Sequence, residues 1–240
     1  MQLTTLLSAL FGPRHDVTDV DRLVRGTGEL ATGTVAVLGT SGPAAIDARL
    51  ALALAEGVLA TVERYPQRPI LLLVNTSGQA LSRHEELIGI NGYLAHLASC
   101  VDLARRRGHP TLSLVYGEAV SGGYLSFGLM ADRAYALADA QVRVMDLRAM
   151  ARVTKIAHER LVALAKESPV FAPGAENYQK MGAIHAIWPE PSATLLEAAI
   201  RELRADRHVQ LRDARSAIGL ERGGRLHARP TAEAVAAAAT

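Results

Sequence analysis

The chain has 240 residues, of which 49% are hydrophobic and 21% are charged, and its formal net charge is +2. This length and balance suit one α/β domain and exclude a disordered chain, while the small net charge argues against a nucleic-acid partner. We find neither a basic leader nor an uncharged apolar window of about 18 residues, so we expect a cytoplasmic protein without a membrane span.

The first part of the chain predicts a strand–helix–strand unit after an N-terminal extension of about 30 residues. Within the extension, the charged run from Asp16 to Arg25 predicts a short amphipathic helix or a segment lying on the core or on a partner. The apolar runs 34–39 and 69–74 have the length and β-branched character of strands, and the Ala/Leu-rich segment 44–65 between them is typical of a helix.

The middle of the chain continues the alternation of helices and strands. Apolar residues at helical intervals predict a helix over 83–107, and a third strand and helix follow at 111–117 and 121–131. Short strands are expected at 133–137 and 142–146. Nearly continuous apolar strands indicate a sheet that is covered on both faces.

The C-terminal part of the chain is predicted to be mainly helical. We expect helices over 150–167, 176–181 and 191–215, with a short apolar run at 182–188. From Gly219 the composition predicts a flexible tail that orders only against a partner. Because no linker interrupts the pattern, residues 1–240 are interpreted as one domain.

Two glycine-bearing turns, each at the end of a predicted strand, carry the chemical signal. They are V-N-T-S-G-Q (74–79) and Y-G-E-A-V-S-G-G-Y (116–124). Glycine lets the backbone approach a ligand, and a following helix presents unpaired N–H groups. Gly78, Gly122 and Gly123 could thus supply backbone donors to one oxyanion. Glycines at such junctions also serve tight turning and helix–sheet packing, so each turn alone is weak evidence.

Other reactive groups give weaker signals. Ser121 lies in A-V-S-G-G rather than G-x-S-x-G, which makes a serine hydrolase a minor alternative. Cys100, the one cysteine, has no nearby histidine motif and is expected to be a small buried residue. Capping and turn formation explain Asp132 and Asp146 adequately. No His/Asp/Glu grouping has the spacing of metal ligands, so we predict no metal site.

Longer motifs around these turns resemble the carboxyltransferase branch of the crotonase superfamily, and within it the gamma subunit of malonate decarboxylase. The resemblance covers about residues 30–190. The matching segments are N-T-S-G-Q (75–79), H-E-E-L-I-G-I-N-G-Y-L-A (84–95), G-E-A-V-S-G-G-Y-L-S-F-G-L-M-A-D (117–132), R-V-M-D-L-R-A-M-A-R-V-T-K (143–155) and S-P-V-F-A-P-G (168–174).

The resemblance implies a crotonase-like fold, a spiral of ββα units with helices packed around the sheets. It also implies a homologous beta subunit, an acyl carrier protein subunit and an acyl carrier protein transferase subunit as partners. The reaction would be decarboxylation of malonyl-S-acyl carrier protein to the acetyl thioester and CO2, with the turns stabilising the developing enolate. This chain would bind no cofactor of its own, because the carrier protein would deliver the CoA-like thioester arm.

Several polar residues near the turns are candidates for the site. Ser121 and Tyr124 are the polar side chains nearest the proposed donors, and either could protonate the enolate or bind the carboxylate. A packed tyrosine at a helix start is the commoner case. Ser77 and Gln79 flank Gly78 and are assigned to substrate binding; Ser77 stands where biotin-dependent relatives usually have proline.

Three charged residues complete the predicted substrate-binding set. Glu118 could face the cleft or simply end a strand at the surface. Arg152 and Lys155 could meet the phosphate of the carrier's arm or an acidic carrier helix, although charged faces are usually only solvated.

Two other functions stay open. A biotin-dependent acyl-CoA carboxyltransferase half would transfer the carboxyl group instead of releasing it, and Ser77 and the segments 143–155 and 168–174 favour the decarboxylase over it. A non-catalytic scaffold that docks the carrier protein is the second alternative.

Overall fold

A nine-stranded sheet is the centre of the described fold. The computed structural model describes residues 1–167, 172–206, 214–224, 226 and 228–238. The strands in this part of the chain are β1 (Thr18–Val20), β2 (Leu23–Leu30), β3 (Gly33–Thr40), β4 (Ala44–Ile46), β5 (Ile70–Gln79), β6 (Thr111–Val120), β7 (Arg133–Leu137), β8 (Gln141–Arg143) and β9 (Ala186–Trp188).

The strands follow the order β1-β2-β3-β5-β6-β7-β9, with β4 beside β5 and β8 beside β6. The first three strands pair antiparallel, and the other pairings are parallel. The first halves of β5 and β6 lie between β3 and β7, whereas their second halves lie between β4 and β8. A register shift after Val74 separates the two halves. β5 and β6 therefore each have different neighbouring strands in their first and second halves. The glycine turns lie at the ends of the second halves.

Helices cover both faces of the sheet. They are α1 (Leu3–Phe11), α2 (Ala48–Arg64), α3 (Arg83–Leu87), α4 (Ile90–Arg106), α5 (Ser121–Ser126), α6 (Leu147–Thr154), α7 (His158–Glu167), α8 (Ala175–Lys180), α9 (Ala193–Ala205), α10 (Arg215–Glu221) and α11 (Ala228–Ala238). The apolar sides of α1 and α9 share one core with alternate residues of the strands. Those of α2, α4 and α5 share the other core.

Local signals explain where several helices begin. The carboxylate of Asp47 accepts a hydrogen bond of 2.7 Å from the N–H of Leu50, which caps α2. The predicted helix 44–65 therefore begins later, after the short strand β4. The predicted helix 83–107 is divided because Gly89 has a left-handed φ of +76°.

The predicted helix in the charged run Asp16–Arg25 is wrong. This run forms part of the hairpin of β1 and β2. The connecting residues Asp21 and Arg22 have φ values of +50° and +71°, the backbone of a tight hairpin turn. Asp19 therefore lies on the exposed edge strand β1, where a charge discourages pairing with other chains.

The later helices are shorter than predicted. The segment 121–131 is helical only over α5, and 150–167 is covered by α6 and α7, which are separated at Lys155 with a φ of +61°. The segment 191–215 holds α9 and the first residue of α10. Residues 207–213 of that prediction, and 168–171 of the S-P-V-F-A-P-G motif, lie outside the described residues.

The beginning of the C-terminal tail packs more closely than its composition suggests. The guanidinium of Arg222 donates hydrogen bonds of 2.9 to 3.0 Å to the carbonyl oxygens of Gln179, Ile184 and His185. The following helix α11 is exposed along its described length. Within the described part of the chain, no helix combines the length and the apolar character needed to cross a membrane.

Candidate active site at two glycine turns

The two glycine turns lie against each other at the carboxyl ends of β5 and β6. A Cβ atom added at Gly123 would lie 2.7 Å from the carbonyl carbon of Gly78 and 2.8 Å from its oxygen, so only glycine fits at this contact. Gly78 has a φ of +110°, a conformation that L side chains rarely adopt. The structure thus brings together the two turns that the sequence analysis singled out.

Two of the three candidate backbone donors already have intramolecular partners. The N–H of Gly78 donates to Oγ1 of Thr76 at 3.0 Å, and Thr76 is fully buried. The N–H of Gly122 donates to Oε1 of Gln79 at 3.1 Å. Gly123 is the third residue of α5, and the first N–H groups of a helix have no partner within the helix.

Asn75 fastens the two turns together, a role that the sequence analysis missed. Its Oδ1 accepts a hydrogen bond of 3.0 Å from the N–H of Glu118, across the strand pair. A Cβ atom at Gly117 would lie 2.5 Å from the Asn75 amide, so this glycine makes room for the side chain. Asn75 is only 8% exposed, and its own N–H and carbonyl are bonded to the Thr40 hydroxyl. A polar residue directly after an apolar strand was the available signal.

Ser121, the first residue of α5, has an unusual backbone conformation. Its φ is +48°, although non-glycine residues with positive φ are uncommon and such strain often accompanies functional sites. The residue is half-buried, and its Cβ lies 3.6 Å from the position that a Cβ on Gly78 would occupy. Its Cβ atom therefore lies at the contact between the two turns.

Tyr124 extends from the same turn into the core rather than to the surface. The residue is 1% exposed, and within the described residues its hydroxyl has no hydrogen-bond partner. Burial raises the pKa of the phenol far above its ordinary value, so the hydroxyl stays protonated. The ring lies beneath Gly128, where an added Cβ would lie 2.7 Å from it. This geometry favours the packed tyrosine of the two interpretations offered above.

The remaining predicted site residues lie around the turns at different depths. Ser77 is exposed beside Gly78. The carboxylate of Glu118 accepts a hydrogen bond of 2.6 Å from Arg143, so this half-buried side chain is paired. Arg152 and Lys155 are exposed at the end of α6, which follows β8 at the same edge of the sheet.

The two aspartates have structural roles. Asp146 caps α6 by accepting a hydrogen bond of 2.7 Å from the N–H of Ala149, which lowers the pKa of its carboxyl. Asp132 is almost fully buried, and it bonds Arg105 at 2.8 Å and the N–H of Thr111 at 2.9 Å. Asp146 therefore agrees with the expected capping role, whereas Asp132 joins the end of α4 to the start of β6 instead of capping a helix.

Cys100 has a histidine neighbour that its sequence context did not suggest. His96, one helical turn earlier on α4, places Nε2 at 3.6 Å from the sulfur. The thiol is buried, and this burial raises its pKa, which keeps it protonated and poorly nucleophilic. Within the described residues, no three His, Cys, Asp or Glu side chains lie together as metal ligands would.

Comparison with known proteins identifies the family. The malonate decarboxylase gamma subunit family matches residues 43–239. The malonyl-S-ACP:biotin-protein carboxyltransferase of Malonomonas rubra is 35% identical over 170 residues, which cover 67% of this chain. The chain spans only 58% of the length of that relative.

Solved structures agree with this family. A Pseudomonas malonate decarboxylase hetero-tetramer in complex with coenzyme A matches with a TM-score of 0.72 and 26% identity over 90% of this chain and 95% of that one. The Pseudomonas MdcD–MdcE hetero-dimer matches with a TM-score of 0.73 and 25% identity over 95% of each chain. Transcarboxylase 12S, at 18% identity and a TM-score of 0.66 over 85% of this chain and 40% of that one, shares the fold.

These likenesses confirm the predicted crotonase-like α/β fold. They also confirm the resemblance first seen in the motifs around the glycine turns. The chain therefore belongs to the malonate decarboxylase gamma subunit family.

Proposed function

We propose that this chain is the gamma half of a biotin-independent malonate decarboxylase. With a homologous beta subunit it converts malonyl-S-acyl carrier protein to acetyl-S-acyl carrier protein and CO2. Family membership supports this proposal, as do a relative named for malonyl-S-ACP and the heterodimeric assembly of the Pseudomonas enzyme. The observation that carries it is the direct contact between the Gly78 and Gly123 backbones, which concentrates peptide dipoles at one point.

The chemistry needs a place for negative charge. When the bond between the malonyl α-carbon and its carboxylate carbon breaks, the electron pair moves onto the thioester carbonyl and forms an enolate. Backbone N–H groups fixed before the reaction stabilise that oxygen without reorganising. The N–H groups of Gly122 and Gly123, at the start of α5, suit this role. A proton then returns to the α-carbon and completes the acetyl group.

We assign the proton delivery to Ser121 rather than to Tyr124. The Ser121 Cβ atom lies where the turns meet, whereas the Tyr124 hydroxyl is enclosed in the core. Gly78 forms the contact with Gly123, and its own N–H stays hydrogen-bonded to the hydroxyl of Thr76. Ser77 and Glu118 line the approach to the turns and bind substrate there.

The carrier protein is proposed to dock beside these turns on α6. Arg148, Arg152 and Lys155 are spaced so that they share one exposed face of this helix and its end. The parallel partner of Arg143 on β8 is Val120, the residue before Ser121, so α6 follows closely at the same edge. A basic face there suits an acidic carrier and the phosphate of its thioester arm.

The other partners follow from the same assignment. The carrier's arm supplies the thioester, so this chain binds no cofactor of its own, and a transferase subunit charges the carrier with malonyl groups. We place the assembly in the cytoplasm. The exposed Leu81, Leu87 and Leu125, which follow the two turns, offer an apolar surface to the beta subunit.

A second function has one observation in its favour. The Malonomonas rubra relative is a biotin-protein carboxyltransferase, which moves the carboxyl group to biotin. The decisive experiment is release of CO2 from malonyl carrier protein by this chain co-expressed with its beta subunit. Release that needs both chains and is unaffected by avidin supports the decarboxylase, whereas release that avidin abolishes supports the carboxyltransferase.

A further inference from the structure

The amide oxygen of Gln79 lies at the N–H of Gly122, where the proposed function places a substrate oxygen. Its Oε1 accepts from the N–H of Gly122 at 3.1 Å, and a Cβ added at Gly122 would lie 3.0 Å from this oxygen. An amide oxygen resembles a thioester oxygen in shape and polarity. The N–H of Gly122 is thus satisfied by the protein itself.

The Gln79 side chain is held much less firmly than Asn75, the other amide that crosses between the turns. Asn75 is packed against Gly117 and almost fully buried. Gln79 is half-exposed, and the bond to Gly122 is the one hydrogen bond that its side chain makes within the described residues. Rotation of its flexible side chain into solvent breaks a single bond, whereas release of Asn75 requires the turns to separate.

We infer that Gln79 is an internal competitor, which occupies the Gly122 donor in the free enzyme and leaves when the substrate oxygen arrives. This inference rests on the proposed function, and it replaces the earlier assignment of Gln79 to substrate binding. The occupant keeps the donor from being left without a partner while the site is empty. It also lowers the affinity of every ligand that needs the same N–H.

Two substitutions at Gln79 have opposite expected effects in the complex with the beta subunit. Gln79→Ala removes the competitor, so KM for malonyl carrier protein and Kd for acetyl-pantetheine both fall about fivefold, the equivalent of about 1 kcal/mol for one net hydrogen bond. Gln79→Glu holds the N–H with a charged acceptor, so both constants rise. A purely structural role would move them in the same direction in both variants.

The matched control is Gln141→Glu, which adds the same charge at an exposed position on β8, across from Glu118. It measures general repulsion of an anionic substrate and is expected to change Kd for the uncharged acetyl-pantetheine by less than about twofold. Calorimetric titration gives Kd without turnover. A wild-type complex that binds acetyl-pantetheine but releases no CO2 would sink the proposed function alone. Unchanged or weaker binding of acetyl-pantetheine by Gln79→Ala would overturn the inference about Gln79.

Discussion

Gly123→Ala places a methyl group inside the contact between the two turns. The new Cβ would lie 2.7, 2.8 and 2.9 Å from the carbonyl carbon, oxygen and Cα of Gly78. Ordinary contact begins at 3.4 Å, so the gap must open by about 0.7 Å, the difference between 3.4 and 2.7 Å. All three atoms belong to the backbone at a strand end and cannot rotate away. Overpacking of this kind costs about 1 to 3 kcal/mol.

Two measurements on this variant test the reasoning. Urea unfolding, followed by fluorescence of the buried Trp188, is expected to show a free energy of unfolding that is lower by about 1 to 3 kcal/mol. Decarboxylation by the complex is expected to fall by about 10²-fold, because displacement of a donor by about 1 Å has effects of that size. The N–H groups of Gly122 and Gly123 would no longer be held in position for one oxygen.

Substitutions at two other glycines serve as comparisons for Gly123→Ala. A Cβ at Gly92 in α4 meets nothing within 4 Å, so Gly92→Ala should raise the free energy of unfolding by about 0.5 to 1 kcal/mol and leave activity intact. A Cβ at Gly122 meets only the tip of the flexible Gln79, so Gly122→Ala should fold normally but obstruct the donor. If Gly123→Ala kept wild-type stability and turnover, the contact would have no role in the site.

Three further substitutions test Asn75 and Tyr124 at the turns and Asp132 beside the first residue of β6. Asn75→Ala leaves the N–H of Glu118 without its partner and should lower the free energy of unfolding in urea by about 1 to 3 kcal/mol; an unchanged value would mean that Asn75 does not fasten the turns. Burial raises the pKa of Tyr124, so protein stability should fall as the pH rises above about 10, where the phenol ionises in the unfolded chain. Tyr124→Phe should weaken that fall in pH-dependent unfolding and keep kcat within about twofold, whereas a loss of about 10²-fold would restore Tyr124 as a proton donor. Asp132→Ala removes the carboxylate that bonds Arg105 and the N–H of Thr111, while Asp102 stays beside Arg105, and should lower the free energy of unfolding in the same urea assay by about 1 to 3 kcal/mol; an unchanged value would contradict a structural role.

The sequence predicted most elements because apolar runs determine which segments are buried. The predicted strands 69–74 and 111–117 are the first parts of β5 and β6. Both strands are longer than predicted, since their polar ends pair with β4 and β8, and long-range pairing leaves no local signal. The hairpin in the charged run was not predicted, because it depends on two turn residues with positive φ.

The site was predictable in outline but not in its contacts. Glycines at the ends of neighbouring strands indicated a shared site, and the register of β5 and β6 brought them together. The shift after Val74 decides which side chains cross between the turns, and no local pattern specifies it. The sequence could therefore identify Gln79 as a candidate. It could not show that the Gln79 amide oxygen accepts a hydrogen bond from the N–H of Gly122. Nor could it reveal that Tyr124 packs inward.

The proposed role of the Gly122 and Gly123 N–H groups is to stabilise an enolate. It is tested most directly by exchange of the methyl protons of acetyl-S-carrier protein for deuterium, catalysed in heavy water by the complex with the beta subunit. If these N–H groups stabilise the enolate, exchange requires both chains and falls by about 10²-fold with Gly122→Ala. Exchange that continues unchanged in this variant, or that the beta subunit alone supports, would contradict this role.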